Sequence, residues 1–394
     1  MSWLLVKLGD VAIINPRPPR DVDESQQVTF VAMASASEEG YLLASEARIF
    51  SETKKGFTYF DKNDVLLAKI TPCFENGKCL RPGQIPTEIG FGSTEFHVIR
   101  PVSEKLDGLY LFYVLWNEQF RFLGQKSMSG AAGQKRVGSD FLKGFEIPLP
   151  PLPEQKRIAA ILDKADAIRR KRQQAIQLAD DFLRAVFLDM FGDPVTNPKG
   201  FPVGTIRDLV DTANYGSSAK ASETEGEFPI LRMGNITYSG AIEFSDLKYI
   251  DISKKDQPKY LVEKGDLLFN RTNSKELVGK AAVYDRDDVA AIAGYLVRVR
   301  MNEKGNSYYV SGYLNSMHGK STLQSMCKSI VGMANINAQE MQDIKILLPP
   351  IEMQNKYAAI FKATNQRLKS NGQSEGSLTV LFFSLSQKAF RGEL

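Results

Sequence analysis

The sequence predicts an α+β fold: two homologous mixed α/β domains, each followed by a long helix, with the two helices antiparallel as a coiled-coil spine. Three observations predict it. Segments of the first half recur in the second, in the same order, at offsets of 198 to 202 residues. The strand-like segments are punctuated by Gly and Pro, which make loops and hairpins rather than helical crossovers. The stretch Leu149–Pro194 reads as one long helix, and a weaker copy starts at Leu348 and runs to Leu394. The expected organisation is a first domain over 1–150, a helix over 151–193, a second domain over 194–349 and a second helix over 350–394.

In the first domain, residues 5–12 form a short amphipathic opening. Pro16, Pro18 and Pro19 then remove amide donors, so 15–20 is a loop, and it carries Arg17 and Arg20. β-Branched and apolar content predicts strands at Val28–Met33, Asp64–Ile70 and Phe96–Arg100. Leu109, Phe112, Tyr113, Trp116 and Phe120 recur at three- and four-residue steps, which predicts a helix. Residues 127–137 follow as a basic loop, and 145–150 as a last strand.

The central helix starts at Pro153, a good first-turn residue, with Glu154 complementing the positive helix end. Ile158, Ile161, Ala165, Ile168, Ala175, Ala179, Phe182 and Val186 give a heptad seam, broken once at Arg172. A seam this narrow needs a partner helix, and the second copy supplies one. Gly192, Pro194 and Pro198 stop the helix. The cluster Arg169–Arg172 is either a solvated face paired with Asp166 or a contact to phosphates or a partner. In the second helix Asn371, Gly372 and Gly376 interrupt the pattern, at about 1 kcal/mol per helical glycine.

The repeat rests on collinear matches. Asp64 to Lys78 matches Asp266 to Lys280, Phe30–Met33 matches Ile230–Met233, Gly9–Val11 matches Arg207–Leu209, and Leu149–Leu152 matches Leu348–Ile351. The period is too long for a solenoid. It means two related domains in one chain, arranged like a two-fold dimer. The copies differ in their loops, where 70–76 becomes 272–278 and Gly133–Arg136 becomes Gly332–Asn335. A common scaffold with unlike loops suggests domains that bind different things.

With 394 residues, 43% hydrophobic and 24% charged, the chain has material for two or three soluble domains. The net charge of +4 permits a polyanion partner without demanding one. Cys73, Cys79 and Cys327 argue for a reducing compartment rather than a disulfide framework, and their spacing is wrong for structural zinc. No apolar run approaches a membrane span and the N-terminus is a poor signal peptide, so a cytoplasmic location is expected.

No GxGxxG or GxxxxGK[ST] loop occurs, so no nucleotide cradle is visible. Asn15-Pro16-Arg17-Pro18 lacks the second adjacent proline and the aromatic of an amino-methyltransferase motif. Only His97 and His318 are available as imidazoles, neither in a nucleophile elbow. The pair Glu95 and His97 reads as a half-buried surface pair. A binding protein, not an enzyme, is expected.

With the duplication and the helices in view, the chain resembles the specificity subunits of type I restriction–modification systems. The likeness rests on Leu149–Leu162, Phe191-Gly192-Asp193, Leu348–Ile351, Gly265–Asn273 and Ala389–Leu394, and it covers essentially the whole chain. The resemblance implies two target-recognition domains, each reading one half of a split, asymmetric double-stranded DNA site. It implies helices that set the spacing and dock two modification (methyltransferase) subunits, with restriction (motor–nuclease) subunits joining in some complexes. It also implies that this chain binds no cofactor itself: S-adenosylmethionine, and ATP with magnesium, belong to the partners.

Arg and Lys suit guanine and phosphates, and Asn and Gln suit adenine. On that chemistry the candidate DNA contacts in the first domain are Lys69, Thr71, Gln134, Lys135 and Arg136. In the second they are Tyr215, Ser217, Lys220, Arg271, Asn273, Lys275 and Asn335. Lys69 and Arg271 occupy equivalent places after a strand. Two other readings remain open at this point. A self-contained DNA-modifying enzyme would transfer methyl groups alone, and a helical protein-binding adaptor would keep partners without a DNA footprint.

Overall fold

A computed structural model of the chain describes residues 3–131, 133–330, 333–370 and 375–394. Two compact units emerge, Met1–Gln173 with Gln373–Leu394, and Gln174–Gly372.

In the first unit, two four-stranded sheets carry the domain. One runs, in order across the sheet, Ala12–Ile14, Phe96–Pro101, Val65–Ala68 and Cys79–Leu80, all antiparallel. The other runs Glu46–Ile49, Gln27–Val31, Ile89–Gly92 and Thr58–Asp61, with its central pair parallel. Val65–Ala68 is buried at every position, so it reads as a continuous apolar run rather than an alternating one. The apolar spacing from Leu109 to Phe120 breaks into two helices, Gly108–Trp116 and Glu118–Ser127. Asn117 between them is extended, and its side chain accepts from Gln119 N. That local bond satisfies a helix-end donor and outcompetes continuation.

The second unit repeats this plan strand for strand. One sheet is Val210–Tyr215, Leu296–Met301, Leu267–Asn270 and Ala281–Val283. The other is Lys248–Ile250, Phe228–Leu231, Ala290–Ile292 and Leu261–Val262, again with a parallel central pair. The registers coincide: Leu66 faces Val98 in the first unit, and Leu268 faces Arg298 in the second. Helices Ser307–Asn315 and Met317–Met326 are parted by Ser316 as the first pair is by Asn117.

The long helix spans Leu152–Phe191 and ends at Gly192, whose φ of 78° suits glycine. Its early part belongs to the first unit, where Ile158, Ala159 and Leu162 share a core with Tyr113, Trp116, Phe382 and Ala389. Its late part belongs to the second, where Phe187 and Phe191 pack on Tyr309 and Tyr357. Each unit therefore takes half of each helical segment, and within each unit the paired segments run antiparallel. Arg157 Nη2, near the start of the long helix, donates to the carbonyl of Leu394 at 3.2 Å.

The expected heptad seam is only partly the buried face. Ile168 and Phe182 are 51% and 50% exposed. The buried positions are Gln155, Ile158, Ala159, Leu162, Asp166 and Arg169, then Leu183, Phe187 and Phe191. The four-residue steps fit packing against a domain surface, not a uniform coiled-coil seam. The second helix is seen as Ile351–Ser370 and Glu375–Arg391, with Gly376 in the first turn of the latter. Asn371 and Gly372 lie outside the described residues.

Two members of the basic cluster on the long helix, Arg169 and Arg170, join a buried ion network, while Lys171 is exposed. Asp166, fully buried, accepts from Arg169 at 2.9 Å, Arg170 at 3.1 Å, Arg81 at 3.2 Å and the Tyr41 hydroxyl at 2.9 Å. Arg81 also donates to Asp163 at 2.6 Å. Four partners for one carboxylate offset its desolvation.

Candidate nucleic-acid interface

In the first unit the site grows from the end of strand Val65–Ala68. The chain leaves that strand through Lys69, Ile70 and Thr71, and the loop 129–137 lies alongside. Val137 N donates to the Lys69 carbonyl at 2.9 Å, Thr71 N donates to the Lys135 carbonyl at 3.0 Å, and Ile70 pairs with Arg136. Ser129 also pairs with Arg136, so the loop is a hairpin docked on the strand end. This brings Lys69, Thr71, Gln134, Lys135 and Arg136 together. Gln134 and Lys135 are exposed, while Lys69, Thr71 and Arg136 are half-buried. The Thr71 hydroxyl is bonded to Glu75.

Under the hairpin lies a polar seat that the candidate residues did not include. Buried His97 is bonded through Nε2 to the Val137 carbonyl at 2.9 Å and through Nδ1 to the Asn15 amide at 3.1 Å. The carbonyl partner assigns the proton to Nε2. Asn15 sits at a φ of 54° and also bonds Val98, which fixes the start of the Pro-rich loop. Burial first, then the Lys69 charge, pushes the His97 pKa below its usual 6.5. Glu95 receives a fork from Arg136, with 2.9 and 2.8 Å contacts, and that bond holds its carboxyl below the ordinary range. Arg136 is thus paired rather than free.

In the second unit the same strand end continues as Arg271, Thr272 and Asn273. Thr272–Asn273 pairs with Met333–Asn335, which pairs in turn with Lys328–Ile330, a three-stranded ribbon. Ile336 N donates to the Arg271 carbonyl at 2.9 Å, the counterpart of Val137 and Lys69. Arg271 stacks over Tyr215 at 4.8 Å, and the Tyr215 hydroxyl accepts from Ala338 N at 3.1 Å. Thr272 Oγ1 lies 3.5 Å from Asn335 Oδ1, and Asn273 Oδ1 accepts from Ser274 N. The Arg271 Nε and the Asn270 amide nitrogen below it are buried without a partner among the described residues. Lys275 and Lys220 are exposed. Ser217 is buried, and its hydroxyl accepts from Ala219 N, so it shapes the turn beside Gly294.

Both units therefore present one arrangement: a buried strand, a cation at its end, and a hairpin bonded to it. The side chains on that frame differ, with Glu95 and Arg136 at the repeat positions of Tyr295 and Asn335. The family described as the type I restriction modification DNA specificity domain matches residues 2–178 and again 198–376, once over each of these frames. The chain belongs to that family.

Among relatives, the chain is 37% identical over 164 residues to the type I restriction enzyme EcoEI specificity subunit of Escherichia coli, covering 41% of this chain. It is 39% identical over 159 residues to the EcoAI specificity subunit of the same organism, covering 40% of this chain. The match spans 27% of each of these two proteins, about a quarter of their length. A longer match, 25% identical, covers 94% of this chain and 86% of the type I restriction enzyme MjaVIII specificity subunit of Methanocaldococcus jannaschii. The solved S subunit of a type I restriction–modification system from M. genitalium shares the fold, with a TM-score of 0.63 at 15% identity. That likeness covers 99% of this chain and 96% of the other.

Among the described residues, no group of three or more His, Cys, Asp or Glu side chains could hold a metal ion. No described helix is long and apolar enough to cross a membrane.

Proposed function

We propose that this chain is the sequence-reading subunit of a type I restriction–modification complex. Each specificity domain reads one half of a split, asymmetric DNA site. The observation that carries this reading is the repeated strand-end and hairpin frame, matched twice by the family and furnished with unlike cationic and amide side chains. A hairpin or ribbon of this width suits a major groove. Unlike side chains on a common frame make the two halves of the site unlike.

In this reading the chain does no chemistry. Two modification subunits dock on it, bring S-adenosylmethionine and methylate adenine. The helices act as spacer and as docking surface, and motor–nuclease subunits using ATP and magnesium join where DNA is cut. The exposed Ile168, on the long helix, is available to such a partner.

The test is selection from a randomised duplex library with the purified full chain, followed by sequencing of the bound DNA. A motif of two unlike halves separated by a fixed unread gap is expected. Enrichment of no motif, together with no methyltransferase recovered by pull-down from host lysate, sinks the proposal. Methyl transfer from labelled S-adenosylmethionine by this chain alone would overturn its non-catalytic role.

A further inference from the structure

We propose that Glu95 is a base-reading residue of the first domain, its carboxylate, held by Arg136, accepting from the exocyclic amino group of a cytosine. The inference rests on the DNA-reading assignment above and names the base class read at one position.

Glu95 stands where a carboxylate is otherwise unwelcome. Its carbonyl accepts from Lys69 N at 2.9 Å, which places it beside the cation at the strand end. Its own amide donates to Ser93 Oγ at 3.2 Å, which fixes the turn before strand Phe96–Pro101. A lone carboxylate on an edge that meets phosphates is repelled. Here Arg136 neutralises it through two parallel bonds, Nε to Oε2 at 2.9 Å and Nη2 to Oε1 at 2.8 Å.

The same fork leaves Glu95 with acceptor capacity of its own. Arg136 spends part of its guanidinium on this contact. Its Nε and one hydrogen of Nη2 go to Glu95, and one hydrogen of Nη1 goes to the Gln134 carbonyl at 2.9 Å. Each Glu95 oxygen has given one lone pair to Arg136 and keeps another. Glu95 therefore offers acceptors on this edge, and its side chain is 27% exposed, reachable from solvent. A carboxylate in a DNA groove accepts from the cytosine amino group. The repeat position in the second domain is Tyr295, 51% exposed and without a carboxylate, so the preference belongs to one half-site only.

A scaffold ion pair would hold the hairpin in place without choosing a base. Library selection with the wild-type full chain and with Glu95→Gln separates the two. Glutamine suits adenine. The expected result is one first-domain position that prefers cytosine in the wild type, with that preference falling about tenfold and adenine gaining in the variant. The second half-site stays unchanged. The wild-type chain gives an independent reading if the variant misfolds: a duplex whose cytosine at that position lacks only the 4-amino group binds about tenfold more weakly. An unchanged motif in Glu95→Gln, or equal binding of the duplex lacking that amino group, overturns the proposal and leaves the DNA-reading assignment standing. A wild-type chain that enriches no motif and recovers no methyltransferase by pull-down overturns both.

Discussion

Gln155 and Gln354 make the same three hydrogen bonds in the two units. Gln155 donates to the carbonyls of Lys105 and Pro150 at 2.9 and 2.8 Å and accepts from Asp107 N at 2.8 Å. Gln354 donates to Lys304 and Pro349 at 3.0 and 2.9 Å and accepts from Asn306 N at 2.9 Å. Both side chains are fully buried. Each ties the first turns of a spacer helix to the start of the domain's own helix pair, so a domain and the helix that follows it are fixed as one piece.

Gln155→Ala should cost its unit about 2–4 kcal/mol, because it leaves three buried backbone groups without partners. Hydrogen exchange at the Asp107 amide should accelerate, while the Asn306 amide keeps its wild-type rate. The mirror pattern is expected for Gln354→Ala. Faster exchange in both units from one substitution would contradict independent anchors.

Asp166→Ala should be among the most damaging single changes in the first unit. It leaves Arg81 and Arg169, both buried, facing each other without their shared anion. A loss of about 3–5 kcal/mol is expected. The exposed pair Arg207 and Asp343, 2.6 Å apart, gives the contrast. Breaking it should cost under about 1 kcal/mol. Chemical denaturation followed by a first-unit tryptophan, Trp116, reads the first effect.

His97 should make the first unit less stable in mild acid. Burial lowers its folded pKa below the unfolded value near 6.5, so the unfolded chain binds the proton more readily. Stability is then full above about pH 6.5 and falls as the pH drops from 6.5 toward the folded pKa. His97→Gln keeps a donor toward Val137 and removes this slope. Unfolding measured from pH 7.5 to 5.5 should show a smaller pH dependence in the variant.

Lys69→Ala and Asn335→Ala should fail differently. A lysine ammonium at a strand end holds phosphate, so its loss weakens binding to all sequences. The slope of log affinity against log salt should fall by about 0.9. Asn335 offers an amide, so its loss should relax one position of the second half-site, at about 1–3 kcal/mol. A uniform loss from Asn335→Ala would make it a backbone contact.

The repeat was legible because the motifs that matched are those whose chemistry the fold needs twice. Asp64 and Asp266 each bind the arginine of the neighbouring strand, Arg100 and Arg300, at 2.8 and 2.9 Å. The candidate contacts Lys69 and Arg136 lie far apart in sequence, yet both fell on recognisable positions flanking a strand and a loop. Glu95 was harder to find. Its spacing pairs it only with His97, whereas its meaning depends on Arg136, which the hairpin brings to it. The buried network at Asp166 was half visible, since Arg169 and Arg170 lie within one turn, but Arg81 and Tyr41 come from the domain.

The sequence by itself determined the duplication, the two mixed domains and the long helices, because strand runs, proline breaks and helical periods are local and repeat along the chain. Only the tertiary structure decided how the helices divide. The heptad count aligned Ile168 and Phe182 as a seam, and both lie open, while Asp166 and Arg169 are buried. Apolar spacing identifies a face that can be buried, but the surface it meets is chosen by packing. Here that surface is a domain on each half of the helix, carrying aromatic rings at one end and an arginine at the other.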